Sequence, residues 1–227
     1  MPTTEVQDTT TKILTTVSNF LQRHRKPLLA ILVAVIGIVV GLFLYLQYRG
    51  AQEERARVAA ETVQELFEEF SAATDETDRQ SLATEITAEV TRIASDYPRF
   101  AAAQRALFVR GSMNWELEQW EAASADFERA AERFPDSYLT PISLFNAAAA
   151  AEEDGQVDRA RQLFTQLVDS FDTPETPRAL FALGRIAEQQ GDTDGATDYY
   201  NRLVQNHAGS TWTNLARTRI IALSVQN

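Results

Sequence analysis

The chain of 227 residues has no cysteine, two histidines, two methionines and only two lysines. Without cysteine there is no disulfide framework and no thiolate nucleophile, and cysteine usage leaves the compartment undecided. His24 and His207 stand near opposite ends, no metal-ligand spacing occurs, and the nine glycines form neither a phosphate-cradling loop nor a nucleophile elbow. Paired carboxylates such as Glu68-Glu69 and Glu152-Glu153 are sequence neighbours that would point apart on a helix. No catalytic residue, cofactor, metal or small-molecule substrate is therefore expected.

Both lysines, Lys12 and Lys26, lie before residue 27, so the rest of the chain has none. Residues 1–27 hold two acids and four bases, and the remainder holds thirty acids and seventeen arginines, so the net charge of −11 divides as +2 and −13. An acidic, lysine-free surface argues against nucleic acid as a partner.

What is present begins with a hydrophobic run. Leu28 to Leu46 are nineteen consecutive residues without a charge. At 1.5 Å per helical residue they reach roughly 28 Å, about the hydrocarbon thickness of a bilayer. A cleaved signal would have a shorter apolar region nearer the start and a small-residue site at its end, whereas this run ends in bulky "LFLYLQYR". A soluble core helix of this length would carry a polar stripe, and this one has none. A retained single-pass anchor is expected. Arg23, Arg25 and Lys26 crowd its amino side, while Arg49, Arg55 and Arg57 on the other side are diluted by Glu53 and Glu54, which predicts a cytoplasmic N-terminus and a C-terminal domain across the membrane. In a bacterium that domain would be periplasmic, on the inner membrane. "GIVVG" at Gly37 to Gly41 is a weak match to the close-packing motif of transmembrane helices. Before the run, Ile13, Leu14, Val17, Phe20 and Leu21 share one helical face, with Thr9 to Thr11 as caps, which predicts a short amphipathic helix at the membrane surface; a frayed tail is the alternative.

Past the anchor the sequence repeats. Small residues at Gly111, Ala148 and Gly184 are 37 and 36 residues apart. Each is followed twelve residues later by Ala123, Ala160 or Ala196, and sixteen later by Phe127, Phe164 or Tyr200. A further aliphatic position falls at Ala130, Leu167 and Leu203. Small residues on facing helices allow close approach, and large residues one turn on fill the groove between pairs. Turn signals separate the helices at Gly155-Gln156, Gly191-Asp192 and, without glycine, Glu118-Gln119. Such hairpins bury their apolar faces only by stacking. Ile86, Val90, Ile93, Tyr97 and Pro98 repeat the spacing of Ala123, Phe127, Ala130, Phe134 and Pro135, a degenerate first unit whose partner helix holds Val63, Leu66, Phe67 and Phe70. Trp212, Leu215 and Ala216 are aligned with Leu180, Leu183 and Gly184 in a capping helix, with Arg217 and Arg219 facing water.

These units resemble tetratricopeptide repeats, with the small, alanine and aromatic positions in place and the closing proline present only as Pro135. The expected fold class is all-α, a tetratricopeptide-like solenoid of helical hairpins preceded by a single transmembrane helix. The expected segments are a cytosolic tail over 1–26, an anchor over 27–48, a stalk helix and degenerate first repeat over 49–100, three repeats over 101–209 and a capping helix over 210–227. Phe108, Phe145 and Phe181 recur at intervals of 37 and 36, at a place that in this family tends to face the peptide-binding groove. They form either a hydrophobic ladder for a partner or ordinary packing within the solenoid. Arg105, Arg178 and Arg185, with Glu116, Glu152 and Glu188, lie along the same helix faces as a candidate carboxylate contact or a solvated surface. The paired lysine and asparagine clamp of chaperone adaptors is absent.

The order of basic amphipathic tail, anchor and repeat domain, above all in "VSNFLQRHRKPLLAILVAVIGIVVGLFLYLQYRGAQEERARVAAET", resembles the YfgM-like ancillary subunits of the SecYEG translocon. That resemblance implies a non-enzymatic subunit binding protein or peptide partners, the translocon or a periplasmic chaperone among them. A structural scaffold in cell-wall or outer-membrane assembly and a regulator acting through its cytosolic tail remain open as alternatives.

Overall fold

A computed structural model describes residues 15, 16 and 18–226. Positions 9–14 and 17 of the amphipathic tail pattern, including Ile13, Leu14 and Val17, lie outside the described residues. The chain divides into two compact units, Met1–Gln52 and Glu53–Asn227.

In the first unit the helical backbone passes His24, whose amide donates to Phe20 O at 3.0 Å, and enters helix α1, Arg25–Ala72. Pro27 falls in the first turn of α1, where its missing N–H costs nothing. Helix α1 is long and apolar enough to cross a membrane, and no residue of its most apolar stretch is buried. Ile38, for instance, is 70% exposed. A Cβ built on Gly37 or Gly41 would meet no atom within 4 Å, so neither glycine makes a helix contact among the described residues. Gly50 lies inside α1.

In the second unit, the end of α1 is followed by α2 (Glu76–Asp96), α3 (Ala101–Glu116), α4 (Trp120–Arg133), α5 (Leu139–Glu153), α6 (Val157–Ser170), α7 (Thr176–Gln189), α8 (Thr193–Asn206) and α9 (Thr211–Gln226). From α2 onward each helix packs on the next, and α3 on α5 and α7 on α9 also touch, so the first helices of successive hairpins line up side by side. The core is a spine of three adjoining clusters. Val63, Phe70, Ile86 and Ile93 close the first hairpin; Phe127, Leu144, Phe164 and Leu183 fill the middle; Leu180, Tyr200, Ala216 and Leu223 close the end.

The repeat spacing has a direct packing cause. The small residue on each first helix faces the aromatic on its second helix: a Cβ on Gly111 would lie 2.9 Å from the Phe127 ring, and one on Gly184 only 2.4 Å from that of Tyr200. The three turns share a backbone bond that reaches back five residues, from Gln119 N–H to Asn114 O at 2.9 Å, Gln156 to Ala151 at 2.8 Å and Asp192 to Ala187 at 2.9 Å. This closure requires a left-handed residue. Gly155 (φ 78°) and Gly191 (φ 76°) supply it, and in the first hairpin Glu118 adopts it at φ 55°.

A second periodic signal escaped the sequence reading. Buried hydroxyls of Thr140, Thr176 and Thr213 donate to the carbonyls of Phe134 (2.6 Å), Phe171 (2.9 Å) and His207 (2.6 Å), tying each first helix to the end of the preceding hairpin. This anchor sets the register of α9. Thr213, Ala216, Ile220 and Leu223 fall in step with Thr176, Ala179, Leu183 and Ile186, and Ala216 and Leu223 are buried as Ala179 and Ile186 are. Trp212 and Leu215 therefore do not take the buried places of Leu180 and Leu183. Leu215 is half exposed, and Trp212 is freed to line a groove.

Candidate functional site

The lined-up first helices α3, α5 and α7, with the start of α9, wall a groove of two adjoining hollows. One, of about 260 Å³, is bounded by Trp115, Phe145, Arg178, Phe181, Arg185 and Trp212. The other, of about 300 Å³, is bounded by Ser112, Trp115, Glu116, Asn146 and Phe127, and shares Phe145, Ala149 and Arg178 with the first. The residues reach the groove by helical spacing. Phe145, Ala149 and Glu152 sit at i, i+4 and i+7 on α5, and Phe181 and Arg185 take the equivalent places on α7.

The three ladder phenylalanines all pack within the solenoid, and Phe145 and Phe181 also line the groove. Each ring leans on the aromatic of its own hairpin, Phe108 on Phe127 at 5.3 Å between centroids, Phe145 on Phe164 at 5.4 Å and Phe181 on Tyr200 at 5.5 Å. Phe145 is only 5% exposed, so it forms the floor of the groove more than a reachable contact. Phe181 stays half-buried and its ring lies tilted against Trp212, with centroids 5.2 Å apart. Phe108 is also half-buried but borders neither hollow.

The arginines separate in the same way. Arg178 sits in the shared wall with its guanidinium carbon 4.3 Å from the Phe145 ring centre and 5.9 Å from that of Trp212. Arg185 pairs with Glu152 across the helix contact at 2.5 Å, which holds the guanidinium in its charged form and its pKa above the ordinary value. Arg105 is exposed on α3, borders neither hollow and has no carboxylate partner among the described residues. Glu188, read from sequence as part of a solvated face, instead accepts bonds from the Tyr200 hydroxyl at 2.6 Å, from Arg219 Nε at 3.0 Å and from Arg219 Nη2. The Arg219 contact and the phenol hold the Glu188 carboxyl below its ordinary value; burial and this bond push the Tyr200 phenol up. Arg219 thus locks α9 to α7 and does not simply face water.

Two tryptophans complete the groove: Trp115 was not singled out from sequence, and Trp212 was read as a core position of the capping helix. Trp115 lies seven residues after Phe108, which puts it on the same face of α3, so the i, i+7 rule would have found it. It packs edge-on against Trp120 at 5.0 Å. Trp212 was hidden by the shifted register of α9. The arrangement offers aromatic surface, one stacked cation and an ion pair to a chain lying along the helices, which is protein-recognition chemistry.

Comparison with known proteins agrees. The tetratricopeptide repeat-like domain family matches residues 18–171, and the tetratricopeptide repeat family matches residues 145–211. A TPR repeat-containing protein of Treponema pallidum is 30% identical over 226 residues, spanning 92% of this chain and 93% of that protein. Among solved structures, an array of nearly identical TPR-like repeats from Podosopora anserina superposes with a TM-score of 0.56 at 14% identity, covering 75% of this chain and 85% of that one. A structure from the characterisation of Pseudomonas aeruginosa pilF gives a TM-score of 0.48 at 19% identity, covering 72% of this chain and 66% of that one. Stacked helical hairpins of this kind are typically non-catalytic scaffolds for contacts between proteins. The chain belongs to the tetratricopeptide repeat family, as a protein-interaction module that carries an N-terminal helix long and apolar enough to span a membrane.

Proposed function

We propose that the protein is anchored in the inner membrane by α1 and presents its groove on the periplasmic side, where it holds segments of exported chains as an ancillary translocon subunit. The observation that carries this reading is one chain joining a helix whose residues 28–46 are apolar and charge-free to a groove walled by Trp115, Phe181 and Trp212. The basic cluster Arg23, Arg25 and Lys26 before the helix supports the orientation. The resemblance to translocon subunits supports the partner class. Two small hollows suit single side chains of an extended segment better than the broad face of a fixed partner, which favours client capture over an envelope scaffold.

A photo-crosslinking residue in place of Trp115 tests the partner, with Tyr138, 80% exposed and outside the groove, as the control position. In membranes, Trp115 should trap the translocation channel or exported chains and Tyr138 should not. Stoichiometric capture of cell-wall or outer-membrane machinery instead would overturn the reading. The lack of native cysteine gives a clean topology test. Ser95→Cys should react with an impermeant maleimide from the periplasmic side, and Ser18→Cys only after permeabilisation.

A further inference from the structure

The charge balance of the groove names a ligand chemistry. Three carboxylates on the first helices have partners on a neighbouring helix. Glu116 accepts from Ser71 at 2.9 Å and faces Arg79 at 3.6 Å, Glu152 holds Arg185, and Glu188 holds Arg219. Arg178 is the groove arginine without such a pairing: its guanidinium lies over two rings and has no carboxylate within ion-pair distance among the described residues. Exposed Glu153, eight residues beyond Phe145 on α5, also borders the first hollow; it forms no ion pair among the described residues and favours the charged form of Arg185.

A guanidinium resting on an aromatic ring keeps its in-plane N–H edges free, and those edges match a carboxylate in two parallel bonds. Its stem and head are already ordered by Phe145 and Trp212, so little rotamer freedom remains to be lost on binding. Both hollows border Arg178 and lie at or below the small end of the usual small-molecule range, so each is sized for a side chain. A terminal carboxylate on Arg178 would leave one hollow empty. An internal acidic residue fills the arrangement when apolar side chains stand two positions before and two after it, because in an extended chain i, i+2 and i+4 share a face.

We infer that Arg178 is the specificity-determining contact of the groove, and that the bound segment is an extended, internal stretch with an acidic side chain flanked at i−2 and i+2 by aromatic or large aliphatic residues. This rests on the groove being the protein-binding face, and it adds the chemical class of what is held there.

The test uses full-length protein in detergent micelles and fluorescein-labelled peptides read by anisotropy. The probe is the end-blocked sequence Gly-Ser-Phe-Ser-Glu-Ser-Phe-Ser-Gly, with one version carrying Gln for Glu, one carrying Lys, and one ending in Phe with a free carboxylate. The Glu peptide should bind about ten-fold or more tighter than the Gln peptide, as a charge-assisted bidentate contact requires. Arg178→Gln should abolish that ratio while leaving the binding of the Gln peptide unchanged, and Arg178→Lys should restore only part of it. Equal affinity for the Glu and Gln peptides overturns the inference, as does a ratio that survives in Arg178→Gln, or tighter binding of the free-carboxylate peptide. If no peptide binds while Trp115 still captures exported chains in membranes, the ligand chemistry falls and the proposed function stands.

Discussion

Gly184→Ala adds one methyl group at the tightest contact of the repeat. The new Cβ would stand 2.4 Å from Tyr200 Cε1 and 2.7 Å from both Cδ1 and Cζ, where carbon atoms normally rest about 3.5–4.0 Å apart. The ring has to retreat by about 1 Å, yet Tyr200 is fully buried and its hydroxyl is tied to Glu188 at 2.6 Å. Overpacking of this kind costs about 1–3 kcal/mol, and stretching the buried hydrogen bond adds about 1 kcal/mol. Alanine returns about 1 kcal/mol through its higher helix propensity. The net destabilisation is therefore about 1–3 kcal/mol, which in a repeat domain of this size lowers Tm by about 2–10 °C. Gly111→Ala meets Phe127 at 2.9 Å with no hydroxyl to hold the ring, so its effect should be smaller. Thermal unfolding followed by circular dichroism on the full chain in detergent reads both. Combining Gly184→Ala with Tyr200→Leu should show a favourable coupling of about 1–2 kcal/mol, since the smaller side chain makes room for the methyl. A neutral or stabilising Gly184→Ala, or additivity in the double variant, would refute the argument that ring approach dictates this glycine.

Glu118→Gly should stabilise by up to about 1 kcal/mol, because it relieves a left-handed backbone at the one hairpin turn without glycine; chemical denaturation reads the gain. Asp126→Ala should cost about 3–5 kcal/mol in the same assay. It strips Arg110 of a bidentate partner (2.7 and 2.6 Å) and Asn114 of an acceptor at 3.0 Å, in a site where the aspartate is buried, whereas Asp126→Leu with Arg110→Met should come out near neutral. Glu188, held below its ordinary value of 4.5 by Arg219, contributes stability that is complete above that value and is lost as pH falls through the lowered one. Acid titration below about pH 4.5 should therefore release α9, seen as a change in Trp212 emission, and Glu188→Gln should remove the step.

The helical hairpins were legible because their causes are local and recurrent. A small residue sixteen positions before an aromatic repeats three times, and the structure shows the ring lying on the gap. The first hairpin was legible for the same reason, through Ile86, Val90 and Ile93, all fully buried. The end of the array was misread because, among the described residues, no helix after α9 repeats the pattern. Trp212 was matched by bulk to Leu180, while the determinant of register is a buried hydroxyl, Thr213, whose bond to His207 is invisible without coordinates. Polar pairings were the least legible. Arg110 and Asp126 lie sixteen residues apart, on two helices that face each other, and no other hairpin has an acid and a base at these places, so no periodicity marks them.

That contrast bears on how binding evolves on such an array. Positions that recur, such as Gly111, Ala148 and Gly184, are fixed by the hairpin itself and cannot distinguish one partner from another. The groove takes its character from the places where recurrence breaks. The position seven residues after the ladder phenylalanine is Trp115 on α3 but Glu152 on α5 and Glu188 on α7, and the position three residues before it is Arg105, Ile142 and Arg178. Both acids are neutralised by arginines from the next first helix in line, so stacking itself decides which charges stay available. Arg178 stays available because its neighbours at the same depth are rings and not carboxylates. Placing an acid beside it, for example Ala149→Glu on the shared wall of the two hollows, should pair the guanidinium internally and abolish selection for an acidic ligand. The hairpins would stay folded, because Ala149 is only half-buried.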